Sequence, residues 1–304
     1  MKEIVFISGK GGTGKTSLVA AIASLASKQG KTVFSDCDVD AADLHLVFAP
    51  EIQTRTAFFS GHVAKINPKK CLSPGQPEVA TKCIDLCRFG AISLSTVSGC
   101  AIDEDSCEGC GVCVHFCPAN AVDFPERRCG EWYISDTRFG TLVHAALDTR
   151  AENSGKLVTM VRQNAKRIAE EQKANFILVD GSPGIGCPVI ASITGADAVV
   201  IVTEPTQSGQ HDLERVASMA RHFAVPFYVC VNKADINPTL SQATQEWCSR
   251  NSIPFLGTIP WAREVTSAQI AGLNVIEYLD EKEDEHNIAG QIAGIWENIC
   301  QLSQ

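Results

Sequence analysis

The sequence lacks the features that indicate binding to nucleic acid or to membranes. It contains no block of Lys and Arg, and 26 basic residues face 35 acidic ones, for a net charge of -9. No apolar run approaches the length of a membrane-spanning helix, and the chain opens on an apolar strand without a cleavable signal. We therefore expect a cytoplasmic protein that binds neither nucleic acid nor membrane.

One cysteine-rich stretch also lacks a feature. Residues 69–92, KKCLSPGQPEVATKCIDLCRFGAI, have no Cys-x-x-Cys-x-x-Cys segment, and Cys71 stands alone twelve positions before Cys83. Cysteine itself is abundant, because 8 of the 14 cysteines lie between Cys71 and Cys117. In a reducing cytoplasm, crowded cysteines hold metal more often than they form disulfides.

The remainder of the chain predicts an α/β fold with a doubly wound, mostly parallel sheet. KEIVFIS, a Gly-rich loop, the helical SLVAAIASLASKQG and the strand KTVFSD follow one another at the start. Further strands with apolar residues on both faces are expected at 176–180, 198–203 and 226–232, as buried parallel strands require. Residues 67–128 are rich in Cys, Gly and Pro, and this composition predicts a small inserted α+β domain. The α/β domain would then consist of two parts, 1–66 and 129–304.

The segment GKGGTGKT follows the first strand and opens the first helix. It satisfies Gly-x4-Gly-Lys-Thr, in which backbone N–H groups and the helix N-terminus bind phosphate oxygens. We expect Lys15 to reach the β and γ phosphates and Thr16 to hold Mg²⁺. The predicted nucleotide-binding residues of this loop are Gly9, Lys10, Gly11, Gly12, Thr13, Gly14, Lys15, Thr16 and Ser17.

With Lys10 as a second lysine, the loop resembles the deviant Walker A of the MinD/ParA/nitrogenase-iron-protein class. This resemblance implies a homodimer in which Lys10 reaches the partner's nucleotide. It also implies that Asp38 positions the attacking water near Mg²⁺ and that Asp180 acts on Mg²⁺ through water. Asp36 and Asp40 stand beside Asp38, and Asp40 is the second candidate for its role. Residues 181–186 would form a switch loop that senses the γ-phosphate.

Two further segments are candidates for contact with the base of the nucleotide. NKAD, 232–235, matches the Asn-Lys-x-Asp that reads guanine in GTPases. In the MinD-like class, however, the matching Asn232 contacts adenine, and Ile259 and Pro260 flank the base. We expect ATP, with GTP as the alternative.

The run CEGCGVCVHFCP, 107–118, has the Cys-x2-Cys-x2-Cys-x3-Cys-Pro spacing of bacterial ferredoxins. Structural zinc is the competing interpretation, but zinc sites usually use cysteine pairs that are far apart. The fourth cysteine of such a run binds the other cluster. The predicted ligands of one [4Fe–4S] cluster are Cys87, Cys107, Cys110 and Cys113.

Cys117 therefore predicts a second cluster. Other ligands of this cluster are expected from residues 69–92, the stretch that lacks the regular motif. Cys71 and Cys83 are candidates, but Ala80 stands where a cysteine is expected, three positions before Cys83. We expect Cys100 to supply the missing thiolate, with Cys129 as the second candidate. Without it, the site would hold a [3Fe–4S] cluster or none, so the chain carries one or two clusters.

Together these motifs resemble the MinD-superfamily P-loop ATPases with an inserted two-cluster ferredoxin domain, often labelled cobyrinic acid a,c-diamide synthase-like. Cys187, seven residues after Asp180, is similar in spacing to a cysteine of the nitrogenase iron protein that binds a cluster shared by two subunits. A buried thiol is the alternative. The other cysteines outside the cluster loops, Cys37, Cys230, Cys248 and Cys300, are expected in the core.

Two functions are consistent with this resemblance. The first is a slow, partner-stimulated ATPase that dimerises with nucleotide and assembles or delivers a metal–sulfur cofactor to a partner protein. The second is a nucleotide-gated electron carrier, with a redox protein as its partner. A non-redox positioning protein is disfavoured by the ferredoxin run.

Overall fold

A computed structural model describes residues 1–95, 99–149, 151, 155–280 and 282–302. The chain divides into two compact units. The large unit comprises Met1–Thr56, Glu131–Leu147 and Asn153–Gln304, and the inserted unit comprises Ala57–Gly130 and Asp148–Glu152.

The regular elements of the described residues are as follows. The strands are β1 (Lys2–Ser8), β2 (Thr32–Asp36), β3 (Glu51–His62), β4 (Lys65–Ile66), β5 (Ile92–Ser95), β6 (Gly99–Ile102), β7 (Val122–Asp123), β8 (Glu126–Thr137), β9 (Gly140–Leu147), β10 (Phe176–Pro183), β11 (Ala198–Thr203), β12 (Phe227–Asn232) and β13 (Phe255–Ile259). The helices are α1 (Lys15–Gln29), α2 (Leu44–Phe48), α3 (Pro77–Leu86), α4 (Val112–His115), α5 (Lys156–Gln172), α6 (Cys187–Ile193), α7 (Gln207–His222), α8 (Pro238–Arg250), α9 (Arg263–Ile270), α10 (Val275–Leu279) and α11 (Ile288–Leu302).

The main sheet has the strand order β13-β12-β11-β1-β10-β2-β9-β8-β3. All pairs from β13 to β9 are parallel, with Val5 opposite Val179 and Val199. The predicted α/β fold with a mostly parallel sheet is therefore confirmed. The strands of its centre are apolar on both faces because helices cover both faces.

The carboxyl ends of β1, β2, β10, β11 and β12 meet at one edge of this sheet, since these strands are parallel neighbours. Ligands of open α/β sheets bind at this edge. The phosphate loop follows β1, the Asp38 loop follows β2, and Asp180 lies within β10. β10 continues to Pro183, so the strand includes the first half of the segment predicted as a switch loop.

The last helix, α11, completes the core of the large unit. Its residues Ile288, Ile292, Ile295, Trp296 and Ile299 are at most 3% exposed. The Trp296 ring lies edge-on to Phe176, with 5.1 Å between ring centroids, and its Nε1 donates to Gln29 Oε1 at 3.0 Å. This helix packs its apolar face inward. In the described residues, none of the helices has the length and apolarity to cross a membrane.

The inserted unit contains two short antiparallel hairpin-like pairs. β4 pairs with β7, with Ile66 opposite Val122, and β5 pairs with β6, with Leu94 opposite Cys100. Helices α3 and α4 lie between these strands in sequence. The chain passes from the large unit to the inserted unit within β3 and returns within β8.

Candidate functional site: a nucleotide cleft and two groups of thiols

The phosphate loop has the backbone that its glycines allow. Gly12 and Gly14 have φ values of 78° and 87°, in the region that favours glycine. A Cβ at Gly14 would lie 2.2 Å from Asn232 Nδ2, so a larger residue does not fit. The side chain of Asn232 donates from Nδ2 to Thr13 O at 2.7 Å and thereby ties β12 to the loop.

Lys15 is the centre of the charged groups at this edge. Its Nζ lies 2.5 Å from Asp180 Oδ1 and 3.5 Å from Asp38 Oδ2. Burial lowers the pKa of Lys15, but the carboxylates of Asp180 and Asp38 outweigh burial and raise this pKa above its ordinary value. Thr16 Oγ1 donates to the other oxygen of Asp180 at 2.6 Å. The ammonium, the hydroxyl and both carboxylates predicted from sequence are thus brought together.

The carboxylates after β2 differ in role. Asp36 is fully buried, and its two oxygens accept from the N–H groups of Asp38 and Leu44. Because it accepts these two N–H bonds, Asp36 holds the backbone of the loop in place. Burial raises the pKa of Asp36 well above its ordinary value. Asp38 contacts Lys15, and burial raises the pKa of Asp38 to about 6, although Lys15 opposes this shift. Asp40 lines the same cleft but is exposed.

Lys10 is held by a residue that the sequence analysis did not single out. Its Nζ lies 2.7 Å from Glu204 Oε1 and donates to Ser208 Oγ at 2.9 Å and to Thr206 Oγ1 at 3.3 Å. Glu204 also accepts from Lys233 Nζ at 3.1 Å. Burial raises the pKa of Glu204, but its bonds to Lys10 and Lys233 lower it below the ordinary value. The signal for Glu204 was its place directly after an apolar strand.

A cleft of about 610 Å³ adjoins the phosphate loop. Asn232, Lys233, Ile259, Pro260 and Trp261 line it together with loop residues 11–17. Most residues predicted for phosphate and base thus share one cavity, whereas the predicted Gly9 and Lys10 do not line it. The indole of Trp261 is 48% exposed beside this cleft and was not predicted. Asp235 Oδ1 accepts from Trp261 N at 2.5 Å, which ties the NKAD segment to the 259–262 segment.

Residues 4–275 match the CobQ/CobB/MinD/ParA nucleotide binding domain family. The chain belongs to this family. The match spans the phosphate loop, Asp38, Asp180 and the cleft. The resemblance to P-loop proteins of the MinD/ParA class is thereby confirmed, and the large unit is a nucleotide-binding domain of the class to which the ATPases MinD and ParA belong.

The chain is also similar to two archaeal proteins and, in fold, to solved structures. The chain is 32% identical to protein MJ0578 of Methanocaldococcus jannaschii over 235 residues, which is 77% of this chain and 79% of that one. It is 25% identical to MJ0579 of the same organism over 302 residues, 97% of this chain and 100% of the other. The fold is similar to MinD of Pyrococcus horikoshii, solved with Mg-ADP, with a TM-score of 0.59, 16% identity and coverage of 99% and 97%.

In the inserted unit of this family member, one group of four thiols is Cys87, Cys107, Cys110 and Cys113. All four line one small cavity. Burial, followed by Cys107, Cys110 and Cys87, raises the pKa of Cys113, so the four sulfurs are electrostatic neighbours. Arg127 donates to the carbonyl oxygens of Glu104, at 2.9 Å, and of Cys107. Cys110 is the exposed member of the group.

A second group of four thiols consists of Cys83 and three neighbouring cysteines, Cys71, Cys100 and Cys117. Burial, followed by Cys100, Cys117 and Cys71 in that order, raises the pKa of Cys83 to about 11. Cys100 is 1% exposed, and its Sγ lies 3.9 Å from the carbonyl oxygen of Ala80. Cys100 therefore lies beside the position where the regular motif has a cysteine.

The other candidate for that role, Cys129, has different partners. Its Sγ donates to Ser60 O at 3.3 Å and lies 3.5 Å from Arg127 O. Cys129 is not among the neighbours that shift the pKa of Cys83. The structure thus brings Cys100 to the group and leaves Cys129 at a backbone carbonyl.

The two cysteine loops have equivalent backbones after their last cysteine. Gly90 and Asn120, each three residues beyond Cys87 or Cys117, have positive φ values of 67° and 46°. Each donates its N–H to the carbonyl oxygen of that cysteine, at 3.1 and 3.3 Å. Ala121 N also donates to Cys117 Sγ at 3.2 Å. The two loops therefore share a local backbone structure after their last cysteine.

Among the described residues, no three His, Cys, Asp or Glu side chains converge on a point where a single metal ion would bind. This finding bears on a mononuclear site such as structural zinc, whose ligands share one ion. The four thiolates of a cubane cluster each bind a different iron, and they do not converge.

The remaining cysteines differ in their exposure to solvent. Cys187 is exposed at the first position of α6, directly after Gly186, so the alternative of a buried thiol is wrong. Cys37, Cys230 and Cys248 are buried as expected, and Cys300 is half-buried on α11.

Proposed function

We propose that the chain is an ATP-binding and ATP-hydrolysing iron–sulfur protein that forms a nucleotide-dependent homodimer. In this function, it assembles or delivers a metal–sulfur cofactor to a partner protein. The observation that carries the proposal is the combination of one catalytic cleft, with Lys15 between Asp38 and Asp180, and two groups of four thiols in the inserted unit.

The cleft has the groups that hydrolysis requires. Glycine N–H groups and Lys15 bind the phosphates of ATP, and Lys15 then exchanges its carboxylate partners for phosphate oxygens. Thr16 and Asp180, whose Oγ1 and Oδ2 atoms lie 2.6 Å apart, would hold Mg²⁺. Asp38 orients the attacking water. Mg²⁺ supplies positive charge that offsets charge developing on the transferred phosphoryl group.

The adenine specificity rests on Asn232, Ile259 and Pro260 at the end of the cleft. Asp235 is exposed, uses one carboxylate oxygen for Trp261 N, and does not line the cleft. A guanine-reading carboxylate has to face the base, because it accepts from the base N–H groups. These contacts support ATP over GTP.

Dimerisation is proposed from Lys10. Its ammonium carries a positive charge that the single chain uses only for Glu204 and two hydroxyls. In a dimer, Lys10 leaves Glu204 and stabilises the phosphates bound by the partner, as a trans-acting cation does in other P-loop enzymes.

The thiol groups fit [4Fe–4S] clusters by their chemistry. Each group consists of four sulfurs, and Cys117 also accepts an N–H bond from Ala121, the kind of contact that tunes a cluster. Cys87, Cys107, Cys110 and Cys113 would hold one cluster, and Cys71, Cys83, Cys100 and Cys117 the other. When bound, the clusters supply electrons or an iron–sulfur unit. A [3Fe–4S] cluster at the Cys100 site is the outcome if that thiolate does not bind.

The experiment that tests the iron–sulfur part is metal analysis after anaerobic reconstitution. We expect about eight irons per chain, falling in Cys100→Ser to about seven if the site keeps a [3Fe–4S] cluster or to about four if it is empty, with one four-iron signal retained in low-temperature EPR. Cys129→Ser is the matched control and should keep about eight irons. About four irons in the wild type, unchanged by Cys100→Ser, would contradict the proposal.

Electron transfer remains the second candidate function, and two observations favour it. Cys110 is exposed, so one edge of its cluster would be open to a redox partner. The chain is also 30% identical over 92 residues to a component of the selenate reductase of Mesobacillus selenatarsenatis, which covers 30% of this chain and 29% of that one. Cluster lability separates the functions: a delivery protein loses iron to an acceptor under ATP, and a redox protein keeps its iron and shifts potential.

A further inference from the structure

Ser73 lies between the two ligands that make the second thiol group unusual. It is 4% exposed, in a short 3-10 turn, Ser73–Gly75. Its Oγ accepts from Cys100 N at 2.7 Å and lies 3.0 Å from Cys71 Sγ. The Ser73 hydroxyl therefore joins the isolated Cys71 to Cys100, which lies 27 positions after Ser73 in sequence.

The chain is shaped closely around this hydroxyl. Gly99 has a φ of 78°, and a Cβ there would lie 2.2 Å from Ser73 Oγ. Glycine at 99 thus leaves the space that the hydroxyl occupies, next to the amide of Cys100.

The direction of the second bond follows from what each group can donate. Because Ser73 Oγ already accepts the N–H of Cys100, its own proton is available for another acceptor. A cysteine sulfur that binds iron is a thiolate and has no proton to donate. The bond in the loaded site is therefore Ser73 O–H to Cys71 Sγ.

We infer that Ser73 is a positioning residue for the cluster of Cys71, Cys83, Cys100 and Cys117, holding Cys71 and Cys100 in register and stabilising the reduced cluster. This inference rests on the proposed function. Hydrogen bonds to ligand sulfurs favour the more negative, reduced state and so raise the reduction potential. Ser73 is not part of the cysteine pattern. It thus supports a set of cysteine ligands that differs from the set in the regular ferredoxin motif.

The test is a redox titration of anaerobically reconstituted protein followed by low-temperature EPR, with iron analysis. In Ser73→Ala, we expect the equilibrium constant for reduction of this cluster to fall about tenfold, ~59 mV for a one-electron couple. The cluster of Cys87, Cys107, Cys110 and Cys113 is the internal standard and should not shift. Ser93→Ala, an exposed serine on β5, is the matched control.

Iron content decides the other outcomes. If Ser73→Ala loses this cluster but stays folded and Ser73→Thr keeps it, the hydroxyl is required and the inference stands. Loss in both variants, or about eight irons with an unchanged potential in Ser73→Ala, would overturn the inference alone. About four irons in the wild type would overturn the two-cluster proposal and this inference with it.

Discussion

Lys10 and Lys15 lie in one loop but bind different partners. Lys15 is 5% exposed between two carboxylates, whereas Lys10 is one-third exposed and reaches Glu204. Their surroundings indicate separate roles: Lys15 faces the cleft of its own chain, and Lys10 is accessible to a second chain.

We predict that Lys15→Ala weakens ATP binding about 100-fold, because charge-assisted bonds to phosphate are lost. Lys10→Ala should keep ATP binding within about threefold of the wild type and reduce turnover about 100-fold or more, since its charge acts in the transition state. Binding is measured by calorimetry and turnover by phosphate release. The control is Lys166→Ala, on the exposed face of α5. Normal hydrolysis by Lys10→Ala would contradict the trans-acting role.

A pH dependence follows from Asp38, whose pKa is raised to about 6, mainly by burial. The carboxylate is the form that orients water, so hydrolysis should weaken as the pH falls through this value. We predict that kcat/KM for ATP is level above pH 7 and falls about tenfold per unit well below pH 6. In Asp38→Asn the residual rate should lose this acid limb. A limb that persists unchanged in the variant would assign it to another group.

At the scale of elements, the carboxyl ends of five neighbouring strands bring the cleft together. Each strand contributes one segment: the phosphate loop, the Asp38 loop, Asp180, Glu204 and Asn232. These segments are up to 219 residues apart in sequence, as in the bond between Asn232 and Thr13. The site therefore depends on the sheet being formed.

Helix α11 contributes to that stability from the far end of the chain. Trp296 is 1% exposed and packs on the core, with its N–H satisfied by Gln29. We predict that Trp296→Ala lowers the free energy of unfolding by about 3–5 kcal/mol, because it leaves a cavity in the core. Urea unfolding of the large unit, followed by circular dichroism, measures this. Trp261→Ala, at an exposed position, should change it by no more than about 0.5 kcal/mol.

At the scale of the whole molecule, we propose that nucleotide binding, dimerisation and iron binding are coupled. Cys187 is the candidate to connect them, because it is exposed and begins the helix that follows the β10 loop. We propose that its thiol takes part in a metal centre shared by the two chains of the dimer. An exposed thiol is also free to bind metal, unlike Cys230, whose pKa burial raises to about 12.

We predict that Cys187→Ser lowers the iron content of the ATP-bound dimer and weakens the dimer, with no change in the iron of the nucleotide-free chain. Light scattering coupled to metal analysis, with and without ATP, measures both quantities. Cys300→Ser, which changes a half-buried thiol on α11, is the matched control. Unchanged iron, oligomer and transfer to a partner would leave Cys187 without a role in metal binding.

The sequence alone determined the motifs whose residues are close together in the chain. The phosphate loop, the parallel strands and the ferredoxin run have fixed local spacings, because a turn, a strand period or a cluster loop is built from consecutive residues. This is why Lys15, Thr16 and the cysteines of the 107–118 run could be predicted before the fold was known, and why the mostly parallel sheet was expected. The resemblance to a family added Asp180.

Only the tertiary structure decided which distant residues meet. The choice between Cys100 and Cys129, the Lys10 contact with Glu204, and the bond of Ser73 to Cys71 and Cys100 all depend on how separate segments pack. Spacing carries no information on such contacts, since a serine or glutamate is an ordinary surface residue until the fold buries it beside a partner. Asp36 and Asp38 show the same limit. They are the same residue type with only Cys37 between them, and their surroundings differ only in the fold, where Asp36 accepts two backbone N–H bonds and Asp38 faces Lys15.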